Sequence, residues 1–360
     1  MPSPNPAHPV AATRIDLFLV GARGQVGSAL RRRLAARQDD LRDALGLDLR
    51  LRLAWDRRGM AAHADGLAPD RLEQAIAERD DARLEASIAE LLHRGDAPLL
   101  VVDCTASDAV ADRYPDWLGA GIAVVTANKR ANARSLAFYR RLQGLAQAHC
   151  APYRYETTVG AAIPLLGPLR DLALRGERVH ALTGVLSGSL SFLLDRLHAD
   201  VPFETALAEA VALGYTEPDP EDDLRAHDLR RKLVVLAREA GFSLEPEDIG
   251  VTPFPTTGWD ERLAAVRATG ERWAMLAHVD ANGARIGLER VPGDSAFAHL
   301  AAGENLVRIR TDLQDDRPLW LRGPGAGPEV TAAGVLSDVI AAARSLADSA
   351  QARRARKAAA

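Results

Sequence analysis

The stretch that most limits what this chain can fold into is IDLFLVGARGQVGSALRRRL, residues 15–34. The apolar run Ile15 to Val20 fits a strand buried on both faces. Glycines follow at 21, 24 and 27, and Val26, Ala29, Leu30 and Leu34 then recur at helical spacing. Strand, glycine turn and helix in that order seat a pyrophosphate. Glycine lets the backbone come close, and the free N–H groups of the helix start face the anion. The residues expected at such a turn are Gly21, Ala22, Gly24, Gln25, Val26 and Gly27. The spacing is G-x-x-G-x-x-G rather than G-x-G-x-x-G, and Arg23 stands where a glycine is common. An ordinary tight turn is the competing reading.

More strands of this kind follow. Leu49 to Trp55 is a second strand, and it runs into Asp56-Arg57-Arg58. In a dinucleotide fold an acid at this point binds the ribose 2′-OH of NAD, while an arginine accommodates the 2′-phosphate of NADP. Both types are present. The adjacent arginines, Arg57 first, favour NADP, although loop charges are often merely solvated. Residues 70–94 predict an amphipathic helix. Leu99 to Asp103 and Ile122 to Thr126 predict two further strands, with polar tips at Thr105, Ser107, Asn128 and Lys129, and Ala106 between the first two as a further cofactor contact. In open α/β sheets the ligand lies outside the carboxyl ends of the strands, so these tips face a cofactor crevice. Lys129 can reach a cofactor or a substrate carboxylate as a compact cation.

The pattern changes after residue 150. Residues 153–159 look strand-like, and Gly160 and a helix follow. A second strand then enters a turn rich in small residues, Gly184, Ser187, Gly188, Ser189 and Ser191, before another helix. Such a turn is either an anion seat for an amino-acid carboxylate or a plain Ser/Gly helix cap. Residues 244–317 show mixed short patterns, from which no chemistry is read.

The densest chemistry is at residues 214–232, GYTEPDPEDDLRAHDLRRK, with acids at 217, 219, 221, 222, 223 and 228. A helix beginning near Glu221 places Leu229, Leu233, Leu236 and Ala240 on one apolar stripe. Asp228 and Lys232 are then i and i+4 and can pair. Acids biased to a helix start complement its dipole. That purely structural reading covers Glu221, Asp222 and Asp223, but not Glu217 or the Lys232 pairing.

Composition excludes some classes. A net charge of −4 offers no footprint for nucleic acid. No apolar run approaches the roughly 20 residues of a membrane span. Cys104 and Cys150 form no metal-like pair and suit a reducing cytoplasm. MPSPNPAHPVAATR has no signal-peptide core.

Taken in order, VDCTAS (102–107), VVTANKRAN (124–132), YETTVGAAIP (155–164), GVLSGSLSF (184–192), GYTEPDPEDDLRAHDLRRKL (214–233) and RGPGAGPEVTAAGV (322–335) resemble the homoserine dehydrogenase family from residue 14 to about 345. The likeness is to the dehydrogenase half of bifunctional aspartokinase–homoserine dehydrogenases. It implies interconversion of L-homoserine and L-aspartate 4-semialdehyde with NADP or NAD, in threonine, methionine and isoleucine biosynthesis. By motif match Lys232 and Asp228 are the catalytic pair, with Lys129 competing for the proton. Glu217, Asp223, Tyr215, Gly184 and Ser187 bind substrate. Gly325 and Gly327 let the backbone pass near the cofactor, which Lys129 also approaches. Glu156, with the carbonyls of Val159, Ala161 and Ile163, is expected to hold a monovalent cation, Na+ or K+.

The resemblance further implies a Rossmann-like doubly wound α/β nucleotide domain, 14–150 completed by 318–345. Residues 151–317 become an α+β domain for substrate, catalysis and homodimerisation; composition, Pro-rich at the start and basic and Ala-rich at the end, makes 1–13 and 346–360 flexible tails. The enzyme is then short, monofunctional and free of threonine feedback through its own chain. A catalytically inactive NADP-binding regulator, or another semialdehyde or imine reductase on the same fold, are the alternatives.

Overall fold

The structure is a computed structural model and describes residues 12–78, 80–216 and 220–359. The chain divides into two compact units. One holds the residues up to Asn128, Arg141–Tyr155 and Ala332 onward; the other holds Lys129–Arg140 and Glu156–Thr331.

The first unit is a seven-stranded sheet. Its strands are Thr13–Val20 (β1), Leu47–Asp56 (β2), Gly59–Ala62 (β3), Ala77–Glu78 (β4), Leu99–Asp103 (β5), Ala123–Thr126 (β6) and Tyr153–Arg154 (β7), in the order β4-β3-β2-β1-β5-β6-β7. β1, β2, β5, β6 and β7 are parallel, and β3 and β4 add an antiparallel edge. Since β2 and β5 flank β1, the winding reverses at β1, which is the doubly wound, Rossmann-like arrangement. β1 is apolar because helices cover the sheet, and Ile15, Leu17, Phe18, Leu19 and Val20 are all buried. The helix Gln25–Leu45 ends at Gly46, whose left-handed φ of 64° lets its N–H return to the last carbonyls.

The last helix, Pro328–Ala359, feeds this core with Ala332, Val335, Val339, Ala342, Ala343, Leu346 and Ala347. Residues 346–359 are therefore helical rather than a tail, because the apolar period continues past residue 345. Among the described residues this is the helix long and apolar enough to cross a membrane by length and composition, and half of that window is buried within the protein. The absence of any such stretch, expected from the sequence, is corrected accordingly.

The second unit has a six-stranded sheet of Val179–Val185 (β8), Ile249–Val251 (β9), Glu271–Asp280 (β10), Gly283–Pro292 (β11), Glu304–Thr311 (β12) and Leu319–Pro324 (β13), ordered β13-β12-β8-β10-β11-β9. All its pairs are antiparallel except β9 with β11. β13 pairs with β12 from Glu304↔Pro324 to Ile309↔Leu319, so the chain rejoins the first unit at Ala332 rather than at 318.

Other expectations shift locally. Residues 70–94 break into the short helix Leu72–Ala75, β4 and the helix Asp81–Arg94, which starts where the Asp80 carboxylate accepts the Arg83 N–H at 2.9 Å. The strand expected over 153–159 stops at Arg154 and gives way to a 3₁₀ turn, Glu156–Thr158. The helix expected to run on from Glu221 is two pieces, Glu221–Leu224 and His227–Glu239, because Ala226 adopts a left-handed φ of 58°. That break puts Asp228 in the first turn of a fresh helix whose Leu229, Leu233 and Leu236 are buried.

Candidate functional site

In the first unit the glycines have steric causes. Gly21 has φ +79°, and a Cβ there would lie 2.9 Å from Thr105 Cγ2. A Cβ on Gly27 would lie 2.2 Å from the Gly21 carbonyl oxygen, so only glycine lets the helix start fold against the turn. Buried Arg31 braces the turn by donating to the Ala22 carbonyl at 2.9 Å. The helix beginning at Gln25 has no side-chain cap and no acid in its first turn. Its leading amides are thus left for an anion.

A cavity of about 570 Å³ opens beside this turn, lined by Gly21, Gly24, Asp56, Arg57, Thr105 and Ser107 among others. A backbone cradle that tolerates no Cβ, an uncapped helix start and a dinucleotide-sized hollow fit a nicotinamide cofactor. Ala106 lines the same cavity, whereas Ala22, Gln25, Val26 and Gly27 shape the turn behind it.

The 104–107 loop is fixed from below. Asp103, fully buried, accepts the Tyr114 hydroxyl at 2.5 Å and the Asn128 amide at 3.1 Å, and Asn128 also donates to the Ser107 carbonyl at 2.9 Å. Burial pushes the Asp103 carboxyl up, and burial beside Asp103 pushes the Tyr114 phenol up. Burial likewise raises the Cys104 thiol, and both cysteines are free.

In the second unit the sequence-predicted lysines and Asp228 meet. Asp228 accepts Lys232 Nζ on Oδ2 at 3.1 Å and faces Lys129 Nζ from Oδ1 at 3.1 Å. Lys232 Nζ also donates to the Leu186 carbonyl at 2.8 Å. Burial pushes the Asp228 carboxyl up, but the two ammonium groups outweigh it and hold it well below the usual carboxylate range. Arg238, whose side chain is fully enclosed, donates to the Asn132 carbonyl at 2.8 Å and to Leu244 at 2.9 Å. It thereby ties the segment carrying Lys129 to the helix carrying Asp228 and Lys232.

The other expected residues are placed as follows. Asp223 accepts the Thr216 hydroxyl at 2.6 Å. Tyr215 stacks on Phe192 with centroids 4.6 Å apart. Ser187 caps the helix Gly188–His198 by accepting the Leu190 N–H at 3.2 Å, and its hydroxyl meets that of Ser189 at 3.0 Å. Gly184 lies inside β8, where a Cβ would press on the Leu306 carbonyl at 3.1 Å. Glu217 lies outside the described residues.

Glu156 accepts the Leu166 and Gly167 amides at 2.6 and 2.8 Å, so its carboxylate caps the helix Leu166–Leu174. Val159, Ala161 and Ile163 lie in a buried turn with left-handed φ at Gly160 and Ala161. Among the described residues no cluster of three or more His, Cys, Asp or Glu could hold a metal.

Gly325 has a local reason to be glycine. A Cβ there would lie 2.1 Å from Asn305 Cγ. Asn305 is 1% exposed, and neither of its amide atoms finds a partner. Sequence reasoning missed it, because a lone asparagine in a strand carries no signal. The buried orphan amide beside Gly325 is what marks it. Gly327, with φ +116°, leads into the last helix.

Residues 23–156 match the family model described as homoserine dehydrogenase, NAD binding domain, and residues 164–340 match that of homoserine dehydrogenase. The chain is 33% identical to the chloroplastic bifunctional aspartokinase/homoserine dehydrogenase 1 of Zea mays over 92% of this chain, and spans only 38% of that protein's length. It is 32% identical to a homoserine dehydrogenase of Paracoccidioides brasiliensis, covering 78% of this chain and 85% of that one. A hyperthermophilic archaeal homoserine dehydrogenase solved in complex with NADPH has the same fold, with a TM-score of 0.73 at 25% identity over 92% of this chain and 98% of that chain. With matches in both units and over most of a relative's length, this chain belongs to the homoserine dehydrogenase family.

Proposed function

We propose that the protein interconverts L-homoserine and L-aspartate 4-semialdehyde, with NADP preferred over NAD. The observation that carries the reading is the Asp228 carboxylate bridging Lys129 and Lys232, with Lys232 pinned by the Leu186 carbonyl. A bound nicotinamide cofactor would supply or accept the hydride. The residues that would hold it are the Gly21–Gly27 turn and Thr105–Ser107.

This chain's own groups do the rest. In the reductive direction the aldehyde oxygen gains negative charge and then a proton. A lysine ammonium has three N–H donors. Asp228 and Leu186 take two of those on Lys232, and the third is left for the substrate oxygen. Lys232 is thus the acid in reduction and, once deprotonated, the base in oxidation. Asp228 holds both ammonium groups in place, and Lys129 adds positive charge where the oxyanion forms. Glu217, Asp223 and Tyr215 are the residues read from the motif to receive the substrate ammonium. The start of the helix at Gly188 receives its carboxylate.

A Na+ or K+ ion on the Val159, Ala161 and Ile163 carbonyls beside Glu156, a homodimer formed through the second unit's sheet, and a biosynthetic role in the cytoplasm extend the same reading. The deciding experiment follows nicotinamide reduction with L-homoserine, using NAD and NADP separately, for wild type and Lys232→Ala. Homoserine turnover that collapses in the variant supports the assignment. Wild type that binds NADPH but turns over neither homoserine nor aspartate semialdehyde sinks it.

A further inference from the structure

Arg23 is the residue in the phosphate turn that fits no glycine pattern, and the structure gives it a partner. Its Nε donates to Asp56 Oδ2 at 2.6 Å and its Nη2 to Asp56 Oδ1 at 2.7 Å, a two-pronged pair with side chains only 15% and 11% exposed. Asp56 Oδ1 also accepts the Arg58 backbone N–H at 2.8 Å. Asp56 ends β2, the point at which an acid in a dinucleotide fold reaches the ribose 2′-OH. Here both of its oxygens are already engaged. Burial alone would push this carboxyl up, but the Arg23 bonds and the Arg58 and Gly59 amides hold it below its ordinary value.

The next two residues behave differently. Arg57 and Arg58 are exposed, and among the described residues their side chains have no hydrogen bond or ion pair. Arg23, Asp56, Arg57 and Arg58 all line the 570 Å³ cavity beside the glycine turn. An open acid beside a doubly charged phosphate would repel it. A clamped acid carries no net charge with its partner, and leaves two free guanidinium groups to set the local field.

We propose that Arg23 is the specificity-determining residue of the cofactor site: by clamping Asp56 it silences an acid that would select a free ribose hydroxyl, and hands selection to Arg57 and Arg58 for a 2′-phosphate. This rests on the reading that the first unit binds a nicotinamide dinucleotide. The clamp also ties the phosphate turn to the end of β2, so one side chain sets both the shape of the turn and the choice at the ribose.

The test is calorimetric titration of the full-length protein with NADP+ and NAD+, and with 2′,5′-ADP and 5′-AMP as fragments. The proteins are wild type, R23Q, R23K and the double variant R23Q/D56N, each checked for an unchanged melting temperature. Wild type is expected to prefer 2′,5′-ADP over 5′-AMP. R23Q, which unmasks the acid, is expected to cut that preference by about tenfold or more, as a new like-charge contact should. R23K keeps the charge but loses the fork, and falls between the two. R23Q/D56N, with no acid left to unmask, is expected to regain most of the wild-type preference.

Two outcomes overturn the proposal while leaving the cofactor reading standing. One is R23Q weakening both fragments and both dinucleotides equally, without rescue by D56N, which makes Arg23 a pyrophosphate ligand. The other is a wild type that prefers NAD+. Wild type that binds none of the four ligands overturns the cofactor reading itself, and the proposal with it.

Discussion

Two carboxylates in this molecule are held ionised by cations, in two different geometries. Asp56 is gripped by one arginine whose planar fork matches it oxygen for oxygen. Asp228 lies between two lysines, each touching one oxygen at 3.1 Å. The arginine pair is closed, with the acid's oxygens spoken for. The lysine set is open, because the Lys232 ammonium gives one N–H to the acid and one to the Leu186 carbonyl and keeps a third. On the proposed reading arginine makes a strut and lysine a reagent, a difference that follows from guanidinium and ammonium geometry more than from charge.

The largest test of this contrast is Lys232→Ala. Loss of a general acid should lower kcat by about 10²–10⁴, measured by initial rates at saturating homoserine. A loss below tenfold would move the reagent role to Lys129 and leave Asp228 without a distinct partner. Arg238→Ala comes next. It takes the guanidinium from the buried Asn132 carbonyl and the half-buried Leu244 carbonyl, and should cost about 2–3 kcal/mol in urea unfolding while releasing the Lys129 segment. If stability holds and only kcat falls, Arg238 positions the site without supporting the unit.

Gly27→Ala forces a methyl onto the Gly21 carbonyl oxygen. It should cost about 1–3 kcal/mol and weaken NADP binding more than it affects binding of homoserine, read by calorimetry. The smallest effect is a pH dependence. Asp228 has a depressed value in the folded state, so its contribution to stability is full above its ordinary value of 3.8 and is lost as pH falls through the lower folded value. Wild type should therefore lose melting temperature below that point more steeply than Asp228→Asn. Parallel curves would mean that the lysines do not hold the acid as strongly as their distances suggest.

What could be read from the sequence depended on distance along the chain. Asp228 and Lys232 are one helical turn apart, so their pairing was legible. Lys129 was legible as a candidate, but its meeting with Asp228 was not, since a tertiary contact leaves no periodic mark. Arg23 and Asp56 each stood out, one as a misfit in a turn and the other as an acid at a strand end. Their bond was invisible for the same reason. The doubly wound sheet was legible from β1, because a run buried on both faces has one common use.

The break at Ala226 could not be foreseen, as alanine rarely adopts that backbone and no residue announced it. Asn305 escaped because its role comes from burial against Gly325, and neither residue type nor spacing encodes burial. Residues 244–317 were silent for a related reason. Much of that stretch is the β10–β11 hairpin, whose pattern, buried on β10 and mixed on β11, never settles into one alternation.

The last helix has a bearing on how the protein comes to exist. Val335, Val339 and Ala342 pack in the same cluster as Ile15, Leu17 and Leu30, from the opposite end of the chain. During synthesis the whole second unit leaves the ribosome before that helix does. Its sheet can close once β12 and β13 are made, while the first sheet waits with the part of its core that this helix covers still exposed. The nucleotide fold begins first and finishes last. In that interval its bare apolar face is what a chaperone would meet.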